Sequence, residues 1–327
     1  MRMKNRNAFI LVVSFLLLVM LTASTSALIL SGVRDEPARV TIIIDDSSQA
    51  RWASFLSGTE QAAKDKDVKL KVVSAGKSVS INQQHRLISD EINEGAEGII
   101  LQIASSKQTE NMISDISSRA VLLLIDSSAD MDVDVEGRSA TIEPNNIEIG
   151  RALANEIRIA LGNDLSQYTI GIVAGNKRLN SMSLRMEGFT QNIESSGVKI
   201  IWTDNSISSI ADNIEYRQSR SKADILVALD NNGLEAACEY AIKSGESPYI
   251  FGEGTSIKNV SYLDDGLITS MVVPNEYYMG YQSVAAIAKR LDNRITPMEN
   301  ETISYRVVNR ENLFDESNQK ILFPVVE

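Results

Sequence analysis

From Arg39 to Arg290 the chain alternates short β-branched runs with longer amphipathic stretches, and it does so in two successive blocks. Alternation with brief links is the pattern of parallel strands covered by helices on both faces. In the first block the strand candidates are Arg39–Asp45 (RVTIIID), Val68–Ser74 (VKLKVVS), Gly98–Ile103 (GIILQI) and Ala120–Ile125 (AVLLLI). Between the first two, Trp52–Asp67 sets Trp52, Phe55, Leu56, Thr59 and Ala63 on one helical face. Ile81–Glu94 and Thr109–Ser118 are the other helices of this block. The second block places strands at Tyr168–Ala174, Lys199–Thr203, Asp224–Asp230, Tyr249–Phe251 and Gly266–Val273, and helices at Asn146–Leu161, Met182–Ser195, Ser209–Arg220, Leu234–Lys243 and Tyr277–Arg290. The expected fold class is therefore α/β, with two doubly wound parallel-sheet lobes over about 39–142 and 146–270. A length of 327 residues fits two domains.

Ahead of these blocks lies an apolar run. No charge occurs between Arg6 and Arg34, and Ala8–Leu30 contributes 23 residues, enough to cross a hydrocarbon core of about 30 Å as a helix. The cationic start (Arg2, Lys4, Arg6) would stay cytoplasmic, which places everything after Leu30 outside. An uncleaved N-terminal transmembrane helix is expected. The competing reading is a signal peptide cleaved after Thr25-Ser26-Ala27, leaving the protein secreted or periplasmic. No cysteine lies here to carry a lipid.

Composition removes several function classes. The net charge is −11, and without Arg2, Lys4 and Arg6 the remainder carries −14, which repels nucleic acid. One cysteine, Cys238, excludes an intrachain disulfide framework, and one histidine, His85, excludes His-cluster metal centres and argues against a Ser-His-Asp hydrolase. No cofactor fingerprint appears, and neither a cofactor nor a metal is expected.

In open parallel sheets ligands bind beyond the carboxyl ends of the strands. The residues there are Asp45 and Asp46, then Gln49, Arg51 and Trp52; Asp126 after AVLLLI; Arg185 past YTIGIVA; Asp230 ending DILVALD; and Glu253 after YIFG. Carboxylates accept from adjacent hydroxyls, an Arg fork donates in fixed geometry, and a Trp face stacks on the CH face of a sugar ring. This set suits a small polyhydroxylated ligand. Nothing supplies a nucleophile with its base, so a binding protein rather than an enzyme is expected.

The ordered segments IIIDDSSQARWASFLSGTEQAA, EINEGAEGIILQIASS, VLLLIDSS, PNNIEIGRALANEI, RMEGF and ILVALDNNGLEAA resemble the type I periplasmic solute-binding proteins of the ribose/galactose-binding cluster. The resemblance covers about 39–310 and implies two lobes joined by a multi-strand hinge: residues 38–143 plus 274–300 as the first lobe and 146–271 plus 302–327 as the second, behind an anchor or signal segment at 1–33. Crossovers are expected near Glu143–Asn145, Met271–Asn275 and Asn300–Thr302. It also implies ligand contacts from Gln49, Trp52, Asp126, Arg185, Asp230 and Glu253, with a hinge-strand position near Val272. Arg51 stands where an aromatic is common, Ser127 where sugar binders often have Arg, and Val272 cannot hydrogen-bond through its side chain.

The function implied is an extracytoplasmic, membrane-tethered receptor that closes around a small solute, a sugar or a relative of one, for an ABC importer. The alternative is a ligand-sensing accessory protein that reports to a membrane histidine kinase or a chemoreceptor. The expected partners are thus the small-molecule ligand and either an ABC permease or a sensor histidine kinase.

Overall fold

The computed structural model describes residues 12–24, 36–46, 48, 50–130 and 137–323. Helix α1 covers residues 12–24, within the apolar run, and its side chains are exposed. Among the described residues no helix is long and apolar enough to cross a membrane. The transmembrane helix expected over Ala8–Leu30 is not present within the described residues, and 8–11 and 25–30 lie outside them.

The first sheet contains β1 (Ala38–Ile44), β2 (Val68–Ser74), β3 (Gly98–Leu101), β4 (Val121–Ile125), β5 (Ser139–Pro144) and β11 (Glu301–Ile303), in the order β11-β5-β4-β3-β1-β2. Every pair in it is parallel. The second contains β6 (Thr169–Val173), β7 (Lys199–Asp204), β8 (Ile225–Ala228), β9 (Tyr249–Glu253), β10 (Ser270–Pro274) and β12 (Tyr305–Asn309), in the order β12-β10-β9-β8-β6-β7. Only its edge strand β12 runs antiparallel.

Strand alternation explains the two helical layers, because successive side chains leave opposite faces. Val40, Ile42 and Ile44 pack with Phe55 of α2 (Ala53–Lys66) and with Val284 and Ile287 of α10 (Glu276–Asp292). Ile43 instead joins Ile88 of α3 (Ile81–Asn93) and Met112 and Ile116 of α4 (Glu110–Arg119). In the second lobe Ile170 and Ile172 face Leu153 of α5 (Asn146–Leu161) and Phe189 of α6 (Asn180–Ile193). Leu226 and Ala228 face Ile214 of α7 (Ile210–Arg220), Leu234 and Cys238 of α8 (Asn231–Ser244), and Val260 of α9 (Ile257–Asp264).

Each lobe is built around one very close helix pair, α10 on α2 and α5 on α6. Glycines make both contacts. A Cβ on Gly58 would lie 2.0 Å from the Tyr277 carbonyl oxygen, and one on Gly280 would lie 2.0 Å from that of Phe55. In the other pair, Gly150 faces the Arg185 carbonyl oxygen at 2.0 Å and Gly188 faces that of Ile147 at 2.1 Å. No side chain fits between such backbones.

The chain passes between the sheets at Pro144–Asn145, at Pro274–Asn275 and at Ser304. Asn145 and Asn275 each cap the next helix, accepting from Glu148 N at 3.2 Å and from Tyr278 N at 3.1 Å. Asn275 N also donates to Ser304 O at 3.0 Å, tying two crossovers together. The third crossover falls later than the expected Asn300–Thr302, because Glu301–Ile303 still pairs with Ile142–Pro144 of the first sheet. Strand β5 lies where no strand was expected, since SATIEP carries few β-branched residues and is only half buried.

Candidate functional site

The carboxyl ends of β1, β4, β8 and β9 face one another across the gap between the lobes. A cavity of about 90 Å³ lies there, larger than the minimum that a single water needs. Arg51, Trp52, Asp126, Arg185, Asp230 and Glu253, all expected from the sequence, line it. Gln49 lies outside the described residues. Val272 is fully buried in the apolar core and is not among the lining residues.

Arg185, from the first half of α6, is only 2% exposed. Its Nε donates to Asn146 Oδ1 at 2.8 Å, and its Nη1 donates to Leu229 O at 2.8 Å and to Glu253 Oε2 at 3.0 Å. Its Nη2 reaches Asp126 Oδ1 at 3.5 Å. Asp126 belongs to the first lobe and the other partners surround the second, so one guanidinium spans the gap. Asp126 itself has φ of 65°, in the left-handed region, and Ser127 N donates to Ile125 O at 2.7 Å, closing a three-residue turn. That conformation is sparsely populated for a non-glycine residue and is characteristic of functional positions.

On the first-lobe wall, Asp45 organises a compact cluster. Trp52 Nε1 donates to Asp45 Oδ1 at 2.7 Å, and Arg51 Nη2 pairs with Asp45 Oδ2 at 3.2 Å. The Arg51 guanidinium lies 4.1 Å from the centre of the Trp52 ring, a cation–π contact. Trp52 is 1% exposed and meets Phe55 edge-on at 5.4 Å, so it belongs to the core as well as to the cavity lining. Asp230 caps α8 by accepting from Gly233 N at 2.7 Å.

Burial raises several of these acids. Loss of solvent pushes the Glu253 carboxyl up to about 7, with Arg185 opposing the rise and Asp126 and Asp230 adding to it. Loss of solvent also raises Asp230 and Glu143. Glu276, in the first turn of α10, is raised well above the usual carboxylate range by burial and then by Asp126 and Glu253. Glu276 lines the cavity, and the sequence reading passed over it. Applying the strand-end rule to β10, where Pro274-Asn275-Glu276 follows, would have found it. Asn146 was not singled out either, because it stands at the start of a helix next to a crossover rather than directly at the end of an apolar run.

The lobes also touch at the mouth of the cavity. Leu179 precedes α6 and offers no side-chain cap. Instead Asn180 N donates to Ser106 Oγ at 2.8 Å and Ser181 N to Ser127 Oγ at 3.1 Å, so first-lobe hydroxyls close the second-lobe helix. Ser106 N donates in turn to Arg178 O at 2.9 Å.

Two lobes of parallel sheet, three crossovers and a polar cavity at the strand ends coincide with a match of residues 40–295 to the periplasmic binding protein domain. The chain belongs to this family. Solved structures of similar fold include a carbohydrate transporter solute-binding protein from Agrobacterium radiobacter in complex with D-arabinose, at 18% identity and a TM-score of 0.79, covering 88% of this chain and 100% of that one. The glucose-galactose binding protein GanP from Geobacillus stearothermophilus gives 18% identity and a TM-score of 0.75, over 86% of this chain and 100% of that one. The XylFII–LytSN complex gives 20% identity and a TM-score of 0.73, over 84% and 98%. No curated protein matches the chain. The family is one of binding proteins, and the cavity lies between the two lobes.

Proposed function

We propose that this chain is an extracytoplasmic receptor, tethered to the membrane by its N-terminal apolar run, that closes two lobes around a small polyhydroxylated solute and presents it to an ABC importer. The observation that carries this reading is Arg185 reaching Asp126 across the interlobe cavity at 3.5 Å. Acids from both lobes and one spanning guanidinium are positioned for ligand hydroxyls only when the lobes are together. A solute that touches both walls therefore shifts the population toward the closed form. The sugar-bound fold relatives support a sugar or a related compound as the solute.

Tethering rests on the charge-free apolar stretch Ala8–Leu30 behind Arg2, Lys4 and Arg6. Extraction of membranes at alkaline pH tests it, since an anchored chain stays with the lipid and a cleaved one is released. The absence of a cysteine for lipid attachment, together with a fold relative solved as the XylFII–LytSN complex, supports a second reading: a sensor that reports ligand occupancy to a membrane histidine kinase or chemoreceptor.

Thermal unfolding of the full chain in detergent with a panel of sugars, polyols and amino sugars tests the receptor reading. A ligand at 100 times its Kd stabilises the native state by roughly 2.7 kcal/mol. Asp126→Asn should weaken that ligand's binding by about 1.5–3 kcal/mol while leaving the fold intact. A panel in which no member raises the melting temperature ends the receptor reading.

A further inference from the structure

The cavity holds more acid than its interior cations can match. Asp45, Asp126, Asp230, Glu253 and Glu276 line it, against Arg51 and Arg185 inside and Lys77 and Arg178 at the mouth, where Lys77 is exposed and Arg178 half-buried. Both interior cations have acidic partners, although Arg51 Nε itself donates to nothing among the described residues. Arg51 pairs with Asp45 and lies on Trp52. Arg185 commits four of its five N–H donors to Asn146, Leu229, Glu253 and Asp126, leaving one on Nη2. Among the described residues neither Asp230 nor Glu276 has an ion-pair partner, and Glu276 Oε2, on a residue 9% exposed, has no hydrogen-bond partner at all.

A buried carboxylate oxygen without a partner is expensive to keep unless something arrives to meet it. The neighbouring amides are already engaged: Gln102 Oε1 accepts from Asp45 N, while Gln84 bonds Gln102 O and Ala104 N. Of the five lining acids, Asp230 and Glu276 are left without a cation among the described residues, and the unpartnered Glu276 Oε2 is the buried acceptor among them. A neutral hydroxyl brings one donor and asks for donors in return, whereas an ammonium brings three donors and no acceptor. An organic cation complements an acid that has no cation beside it.

We propose that the solute carries a protonated amine, as an amino sugar does, with its ammonium seated against Glu276 and its hydroxyls held by Arg185, Asp126 and Asp230. This proposal rests on the solute-receptor reading and names the ligand class for the same cleft. Seating the charge beside α10 also places it near the Pro274–Asn275 crossover, so the amine would be read by the element about which the lobes move.

The test is calorimetric titration of the full chain in detergent with glucosamine, galactosamine and mannosamine, each against its neutral parent glucose, galactose or mannose. Members of a pair differ only in hydroxyl against ammonium. At least one amine is expected to bind tenfold or more tightly than its parent. Glu276→Gln, which is isosteric and removes the carboxyl that would answer the ammonium, should bring that ratio to within about threefold. If every parent that binds does so as tightly as its amine, the amine assignment falls and the sugar receptor stands. If no amine and no parent binds, both readings fall. A ratio that survives in Glu276→Gln removes Glu276 as the seat and overturns the proposal as stated.

Discussion

Replacing Arg185 by Met keeps most of the side-chain volume and deletes the guanidinium that joins the lobes. Four acceptors then lose a donor: Asn146 Oδ1, Leu229 O, Glu253 Oε2 and Asp126 Oδ1. Two of them are carboxylates, and breaking a buried ion pair from one side costs about 3–5 kcal/mol. The acids can avoid part of that loss by taking up protons, and Glu253 already titrates near 7 with its partner in place. The full penalty is therefore expected at pH 8 and a smaller one at pH 5. With roughly 2–4 °C per kcal/mol for a chain of this size class, Arg185→Met should lower the pH 8 melting temperature by about 6–20 °C. Adding Glu253→Gln should recover part of the pH 8 loss, because the orphaned charge is then gone. Melting curves followed by circular dichroism at the two pH values decide the matter. A variant that melts within 2 °C of the parent at pH 8, a margin of about 1 kcal/mol or less, would falsify the view that Arg185 is the buried keystone between the lobes.

Gly150→Ala drives a methyl group to within 2.0 Å of the Arg185 carbonyl oxygen and 2.6 Å of Phe189 N. Separating α5 from α6 should cost about 1–3 kcal/mol and shift the guanidinium, so both melting temperature and ligand affinity should fall; an unaltered affinity would show that α6 can slide without moving the site. The pH dependence has a definite sign. Folding raises the Glu253 carboxyl from 4.5 to about 7, so its stabilising contribution is whole below about pH 4.5 and disappears as pH climbs through 7. That single group amounts to about 3 kcal/mol at most, and Glu276, Asp230 and Glu143 shift in the same direction. The ligand-free melting temperature should accordingly decline between pH 5 and 7.5, less steeply in Glu253→Gln, and an increase over that window would contradict the burial of these acids.

Strands β1, β4 and β8 were legible because IIIDD, VLLLID and ILVALD are apolar runs that stop abruptly at acids, and a buried parallel strand needs both the run and the stop. The same rule puts Asp126, Asp230 and Glu253 at the carboxyl ends of their strands. Arg185 was harder to place, since it sits inside a helix eleven residues past the end of YTIGIVA. Strand β5 escaped because an edge-proximal strand buried on one face can be as polar as SATIEP. Trp52 could be assigned to core or cleft from its spacing, and it serves both, with its indole nitrogen on Asp45 and its ring against Phe55. The glycine contacts and the Ser106 and Ser127 caps were invisible for a different reason: each depends on which helix arrives opposite, and periodicity within one helix carries no such information.

The start of α6 deserves its own reading as a mechanical link. Its first amides are satisfied by hydroxyls on the opposing half, so parting the halves leaves that turn to be finished by solvent. Arg185 rides the same helix a little more than one turn further along. Separation thus loosens the platform under the one cation that bridges the gap, and rejoining tightens it, which makes affinity and jaw position two faces of a single equilibrium rather than successive events.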